Sequence, residues 1–337
     1  MKNNRIQFWR IIFTYQIAFY HLGNVYGAKN SWYIAVEFFF IVSGYLLADS
    51  FERQAGKDKV IPAYEYVLKK YLRFFPHALF AFFVAFGVKW FREGYAGLRV
   101  LKEFAIRIPE ALLLSAIGIS EDPDYYCNSV SWYLSALLIL SFFIWLLLKH
   151  CRKVYLRFLI PVSLLLIYPY LYLTYGSLNE HRAVRYLVLN SALLRGAAGM
   201  DLGVLGWYVA RLIRKKETEV TGIISDICLL LVIAASFFVY RTGFDILFSF
   251  VLFIGVVLAF SAKSRKIFDN KLVDKWAGIT LAIYLNHKCF RGLFVLIWPE
   301  FGIVPALVWF VFITLYSATS FYTINALCGL LKRKKVE

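Results

Sequence analysis

The chain is a succession of apolar stretches, each about as long as a bilayer is thick. A helix needs roughly 20 residues to cross about 30 Å of hydrocarbon. Runs of that order recur at 6–26, 32–50, 74–91, 130–149, 157–174, 187–210, 223–240, 244–261, 277–297 and 304–330. A soluble domain of 337 residues has too little interior for a composition that is 61% hydrophobic, so the solvent for most of this surface is lipid. The expected fold is therefore all-α: a polytopic membrane protein of ten spans, one domain over 1–337, with no separate soluble domain. The leading MKNNRIQFWRIIF has the basic start of a signal peptide but no small-x-small cleavage site, and it is read as the first span.

The formal net charge of +17 would suggest nucleic acid in a soluble protein. In a membrane protein it must first be set against topology, because cytoplasmic loops collect Lys and Arg. With ten spans both termini share one side. Placing them in the cytoplasm puts 26 of the 38 basic residues in or beside inner segments, including clusters at 53–73, 149–157, 211–216, 263–275 and the KRKK tail. Topology accounts for most of the charge, and no nucleic-acid partner is expected. The five cysteines are scattered without CxxC or Cys/His spacing, so neither a disulfide framework nor a metal site is expected.

The outer connection 92–129 has its own apolar piece, IPEALLLSAIGI (108–119). Its short length and Pro109 point to a re-entrant or interfacial helix, since an eleventh span would invert every later loop. The acidic, aromatic EDPDYYCNS (121–129) follows, in a connection long enough to suggest function or disorder.

Ionisable groups within spans generally face the bundle interior and mark a site or pathway. Arg10 and His21 are eleven residues apart, about three turns, so they share a face with roughly 16 Å between them along the axis. Two readings stand: a snorkelling arginine with a hydrogen-bonded histidine, or two parts of one site. Glu37 opens an apolar span, and three readings stand for it: it orients His21, it holds an arginine, or it is an interfacial residue near a helix start. In KKYLRFFP (69–76), Lys69 and Lys70 read as topology signals, whereas Arg73 is placed to bind an anion such as a nucleotide or coenzyme phosphate. Arg195 and Asp201 fall inside the sixth span, where they compensate charge. His287, Lys288 and Arg291 fall inside the ninth. His77, His150 and His181 sit at span ends or in loops and read as solvated.

Together these segments resemble acyltransferase family 3, membrane proteins many of which O-acylate cell-surface glycans. Arg10, ten residues and His21 are similar to the family's Arg-x10-His signature. VEFFFIVSGYLL (36–47) resembles its acidic-FF-x-x-SG-aromatic block, and KKYLRFFP its basic cluster ending in Arg-x-x-Pro. SWYLSALL (131–138) resembles its Trp-centred span, and WAGITLAIYLNH (276–287) its Gly…Tyr-Leu-x-His helix. Two departures stand out: Gln7 occupies a usually acidic position, and Thr280-Leu281 replaces the common Ser-Tyr.

The resemblance implies a multi-pass enzyme of the plasma (inner) membrane that modifies a polysaccharide of the cell envelope. It would move an acyl group, acetyl by default, from cytoplasmic acetyl-CoA to a hydroxyl of an extracytoplasmic glycan. Arg10 and Arg73, with Arg195, would hold coenzyme phosphates. His21 would be the general base, oriented by Glu37 and assisted by His287; a route through acyl-His21 is equally compatible. Trp132, Tyr133, Asp122 and Tyr126 would meet the acceptor. On this reading Arg10, Arg73, His21 and Glu37 line one cavity. The rival reading is an exporter of a glycan or lipid-linked precursor without acyl chemistry. Transporters often carry inverted repeats, and no repeat stands out here.

Overall fold

The computed structural model describes residues 3–181, 190–213, 218–262 and 267–333. Among these the chain is helical, with no strands. Ten helices of 16 residues or more occupy the expected positions: α1 (Asn4–Val25), α2 (Ala35–Ala55), α3 (Ala63–Glu93), α4 (Trp132–His150), α5 (Ile160–Tyr175), α6 (Ser191–Ile213), α7 (Glu219–Phe238), α8 (Phe244–Ser261), α9 (Lys271–Asn286) and α10 (Ile303–Arg333). Seven segments, containing all of these except α1, α6 and α9, are long and apolar enough to span by length and composition. Of the other three, α1 carries Arg10 and His21 and α6 carries Arg195 and Asp201, polar residues that lower their hydropathy, while α9 has only 16 residues and opens on Lys271, Asp274 and Lys275. The start of the sixth expected span, and the basic residues at 214–216, 263–266 and the end of the KRKK tail, lie outside the described residues.

Three expectations about extent are corrected. The apolar run places the start of the third span at 74, but α3 starts at Ala63 after Pro62 and stops at Gly94, which adopts the left-handed conformation (φ 62°). Its 31 residues extend about 46 Å, so a basic first third projects past the hydrocarbon and carries Lys69, Lys70 and Arg73 on regular helix. The ninth span is expected to run to 297, but α9 ends at Asn286 and a separate helix covers Arg291–Ile297. His287 and Lys288 therefore sit in a turn rather than inside a helix, and Arg291 opens the next one. The apolar piece at 108–119 is not one helix but a short α-turn over Ile108–Ala111 and a 3-10 turn over Ser115–Ile117, because Leu113 (φ 60°) and Gly118 (φ 76°) are left-handed and break the path.

Packing is tightest between α2 and α6. A Cβ on Gly203 would lie 2.0 Å from the Ile41 carbonyl oxygen, and one on Gly44 would lie 2.1 Å from that of Met200. Ser43-Gly44 thus permits the close helix approach that small residues provide in membranes. Because the obstacle is backbone, Gly203→Ala is expected to separate the helices and lower the melting temperature in detergent, at a cost at or above the usual 1–3 kcal/mol for overpacking. Gly87→Ala, where a Cβ meets open space, should melt like the parent chain.

Candidate functional site

A cavity of about 690 Å³ lies among α1, α2, α3, α4, α9 and α10. Its lining combines aromatic and aliphatic side chains with Arg10, Lys70, Arg73, His77 and Asp274. This volume suits a small-molecule ligand, and a mostly apolar wall with a few convergent polar groups is the usual composition of such sites. A second basin of about 530 Å³ shares Tyr66, Lys70 and Arg73 with it and adds Lys59 and Lys69. The two form a basic approach to an apolar interior.

Arg10 is positioned by its own helix and by α9. Its Nη1 donates to Gln7 Oε1 at 2.8 Å and its Nη2 to Thr280 Oγ1 at 3.5 Å. Both partners are neutral, and both are the positions where the sequence departs from the family pattern. No carboxylate is among these bonds. Thr14, one turn on, also lines the cavity and turns its hydroxyl back to the Arg10 carbonyl (2.7 Å). Arg73 reaches the cavity from α3.

Lys70 reads in sequence as a topology signal, yet it lines both chambers, lies 5.0 Å from the Tyr66 ring centroid and reaches Ser141 Oγ at 3.4 Å. His77 reads as solvated, yet it is 6% exposed, lines the cavity and stacks on Phe321 of α10. Its position one residue past Pro76 is the available signal: the helix continues through that proline and brings His77 round to the same wall as Arg73 and Phe74. His181, likewise expected to be solvated, stacks on Trp132 at 4.9 Å. His150 is exposed.

At the other end of the α1 stripe, the His21 ring stacks on His287 with centroids 5.2 Å apart and planes 26° apart. Arg291 Nη1 holds the His21 carbonyl oxygen at 3.4 Å. His287 is buried, with Nδ1 3.3 Å from the Ile283 carbonyl oxygen and Nε2 without a hydrogen-bond partner among the described residues. The carbonyl fixes the proton on Nδ1 and leaves the Nε2 lone pair available. Tyr284 links this pair to the cavity: it lines the chamber, and its ring lies 5.9 Å from that of His287. The histidines thus stand one helical turn beyond the Tyr284 end of the cavity.

Glu37 and Arg195 do not join that arrangement. Arg195 Nε lies 2.5 Å from Glu37 Oε1, its Nη2 donates to the Tyr33 carbonyl at 3.1 Å, and both side chains are essentially inaccessible. Of the readings open to Glu37, the fold supplies the arginine. Arg195 correspondingly lies over Trp132 and Tyr33 rather than in the cavity lining. Asp201, expected to balance Arg195, instead accepts from Tyr155 and Ser163, each at 2.5 Å. Of the four residues expected to line one cavity, Arg10 and Arg73 do so.

The acceptor candidates separate as well. Tyr133 lines the cavity, with its hydroxyl 3.1 Å from Ser43 Oγ, while Trp132 packs between His181 and Arg195. Asp122 caps the turn at Asp124 N (2.9 Å), and Tyr126 donates to the Ser120 carbonyl (2.9 Å), so both shape the outer loop itself.

The fold and cavity define a polytopic helical membrane protein with a cationic, partly buried chamber ending beside a histidine pair. The chain belongs to acyltransferase family 3: the family model described as an acyltransferase domain matches residues 3–325, nearly its whole length, and the protein is a membrane acyltransferase. No curated protein and no solved structure matches it.

Proposed function

We propose that the protein transfers an acetyl group from acetyl-CoA to a hydroxyl of an extracytoplasmic glycan, with His21 as general base. The observation that carries this reading is the continuity from Arg73, Lys70 and Arg10, through the chamber, to Tyr284 and the stacked His21 and His287. An acyl-CoA has the same asymmetry: anionic phosphates at one end, a slim amide-bearing arm, and a thioester at the other. Arginine suits the phosphates because its planar donor fork stays charged when partly buried. Both termini lie in the cytoplasm on this reading, in the plasma (inner) membrane, so the basic chambers open towards the coenzyme and the histidines towards the outer face.

In the transfer step the acceptor oxygen attacks the thioester carbonyl while His21 takes the hydroxyl proton. The tetrahedral intermediate then collapses, the C–S bond breaks, and the departing thiolate takes the proton from the imidazolium. Ester and free coenzyme A are the products. His287 supports the imidazole through the stacked ring. Glu37 and Arg195 serve the fold that holds the site, in place of the orienting and coenzyme-binding roles expected from the sequence.

Arg10→Ala in nanodiscs is expected to weaken acetyl-CoA binding about 10- to 100-fold, the value of one or two charge-assisted hydrogen bonds, with a smaller effect on kcat. Gln7→Glu should act in the same direction by pairing the guanidinium internally, and adding salt should narrow the gap between variant and parent. Unchanged coenzyme binding in Arg10→Ala would overturn the assignment. Movement of an unmodified glycan across the membrane without any acyl donor would favour the exporter.

A further inference from the structure

We infer that Glu110 is a positioning residue for the histidine pair, acting by clamping the outer segment 127–130 onto the end of α9 and the turn after it that carries His287. The inference rests on the reading of His21 and His287 as the reacting end of the site. Glu110 is 2% exposed, in the short helix Ile108–Ala111 far along the chain from α9. Its two carboxylate oxygens accept the backbone N–H groups of Cys127 (2.9 Å) and Asn128 (2.7 Å). The next contacts all reach the end of α9 or the turn after it. Asn128 Nδ2 donates to the Leu285 carbonyl at 2.8 Å, Lys288 donates to Ser129 Oγ, and the Tyr284 hydroxyl donates to the Val130 carbonyl at 2.9 Å.

Three consecutive loop residues therefore hold residues 284, 285 and 288, on both sides of His287. The ring that stacks on His21 thus sits in the turn that this loop grips. α9 needs such a grip because its sixteen residues rise only about 24 Å, and its last residues, Ala282 to Asn286, are buried inside the protein. Its last carbonyls need donors from elsewhere, and Asn128 supplies one at Leu285. Arg107, the nearest cation on the same outer segment, is committed to Glu103 and to the Asp124 carbonyl, which leaves the Glu110 oxygens to the two amides.

The chemistry of the clamp makes it sensitive to pH. The groups facing Glu110 are Arg107, Tyr125 and Cys127 on the outer segment, and Lys288 and Cys289 after α9. Burial pushes the carboxyl up to about 7, against the pull of the Cys127 and Asn128 amides, Arg107 and Lys288. Only the carboxylate accepts at both oxygens; protonation turns one acceptor into a donor facing an N–H. The clamp is complete above that range and weakened below it.

The test uses full-length Glu110→Gln, Glu110→Ala and Asn128→Ala in nanodiscs, with acetyl-CoA as donor and a glycan panel as acceptors. None of these residues lines the donor cavity, so acetyl-CoA affinity is expected to stay at the parent value. The kcat for transfer should fall about 10- to 100-fold in Glu110→Ala and Asn128→Ala, as expected for a sub-ångström to ångström misplacement of a reacting group. The rise of kcat through about pH 7 should flatten in Glu110→Gln. Hydrogen exchange over residues 283–289 should quicken in both alanine variants while α2 and α6 stay protected, a readout that requires no turnover. Parent-like exchange at 283–289 with an unaltered pH profile would overturn the inference. So would a uniform loss of coenzyme affinity, kcat and melting temperature, the mark of a merely structural role. Failure of the underlying reading registers separately, as full transfer by His21→Ala.

Discussion

Replacing His21 by alanine is expected to abolish most transfer while leaving the coenzyme bound. General acid–base assistance contributes typically 10²- to 10⁴-fold, so kcat should fall by about that factor while the acetyl-CoA Kd changes little. The split follows from the layout. The cations that face the chamber are Arg10, Lys70 and Arg73, whereas His21 stacks on His287 beyond Tyr284. His287→Ala should give a smaller loss of the same kind, because it removes the stacked support and the Nε2 lone pair but leaves the His21 ring. Radiolabelled acetyl-CoA with a glycan panel measures both quantities. Parent-like transfer by His21→Ala would end the base assignment, and loss of coenzyme binding would move His21 into the donor site.

The second large effect belongs to the buried pair. Arg195→Ala is expected to destabilise the bundle by about 3–5 kcal/mol, because it strands the Glu37 carboxylate in a medium that cannot solvate it. Glu37 is 0% exposed, and its Oε2 already has no hydrogen-bond partner among the described residues, so Oε1 carries the whole compensation. Glu37→Ala should do comparable damage by orphaning the guanidinium, leaving it the Tyr33 carbonyl and the faces of Tyr33 and Trp132. A double replacement, Glu37→Leu with Arg195→Met, removes both charges at roughly constant volume and should recover much of the loss, since each single cost is mostly an unpaired partner. Melting in detergent reads these differences. If Arg195→Ala melted normally but bound acetyl-CoA weakly, Arg195 would belong to the donor site after all.

Arg10 and Arg73 are legible in the amino-acid sequence, because periodicity assigns faces to a helix and an arginine on an inward stripe has few uses in lipid. Lys70 is not. Three positions ahead of Arg73 it lies on the same side of α3, but a string of residues does not distinguish a cation pointing into a chamber from one answering to membrane topology. His77 is obscured by Pro76, which usually signals a helix boundary and here lies inside α3. Glu110 carries no motif; its importance lies in two backbone amides 17 and 18 positions away.

The apolar runs by themselves determined a helical membrane bundle, and the ordered motif blocks its family. Lipid accepts no other use for such runs, and the blocks are local strings whose meaning does not depend on tertiary contacts. Only the tertiary structure decided which polar groups meet. Glu37 found Arg195 across 158 positions, and His21 found His287 across 266. Periodicity specifies which side of each helix turns inward, whereas the choice of facing helix comes from contacts such as Gly44 and Gly203 on opposing backbones, where side-chain volumes leave one close fit.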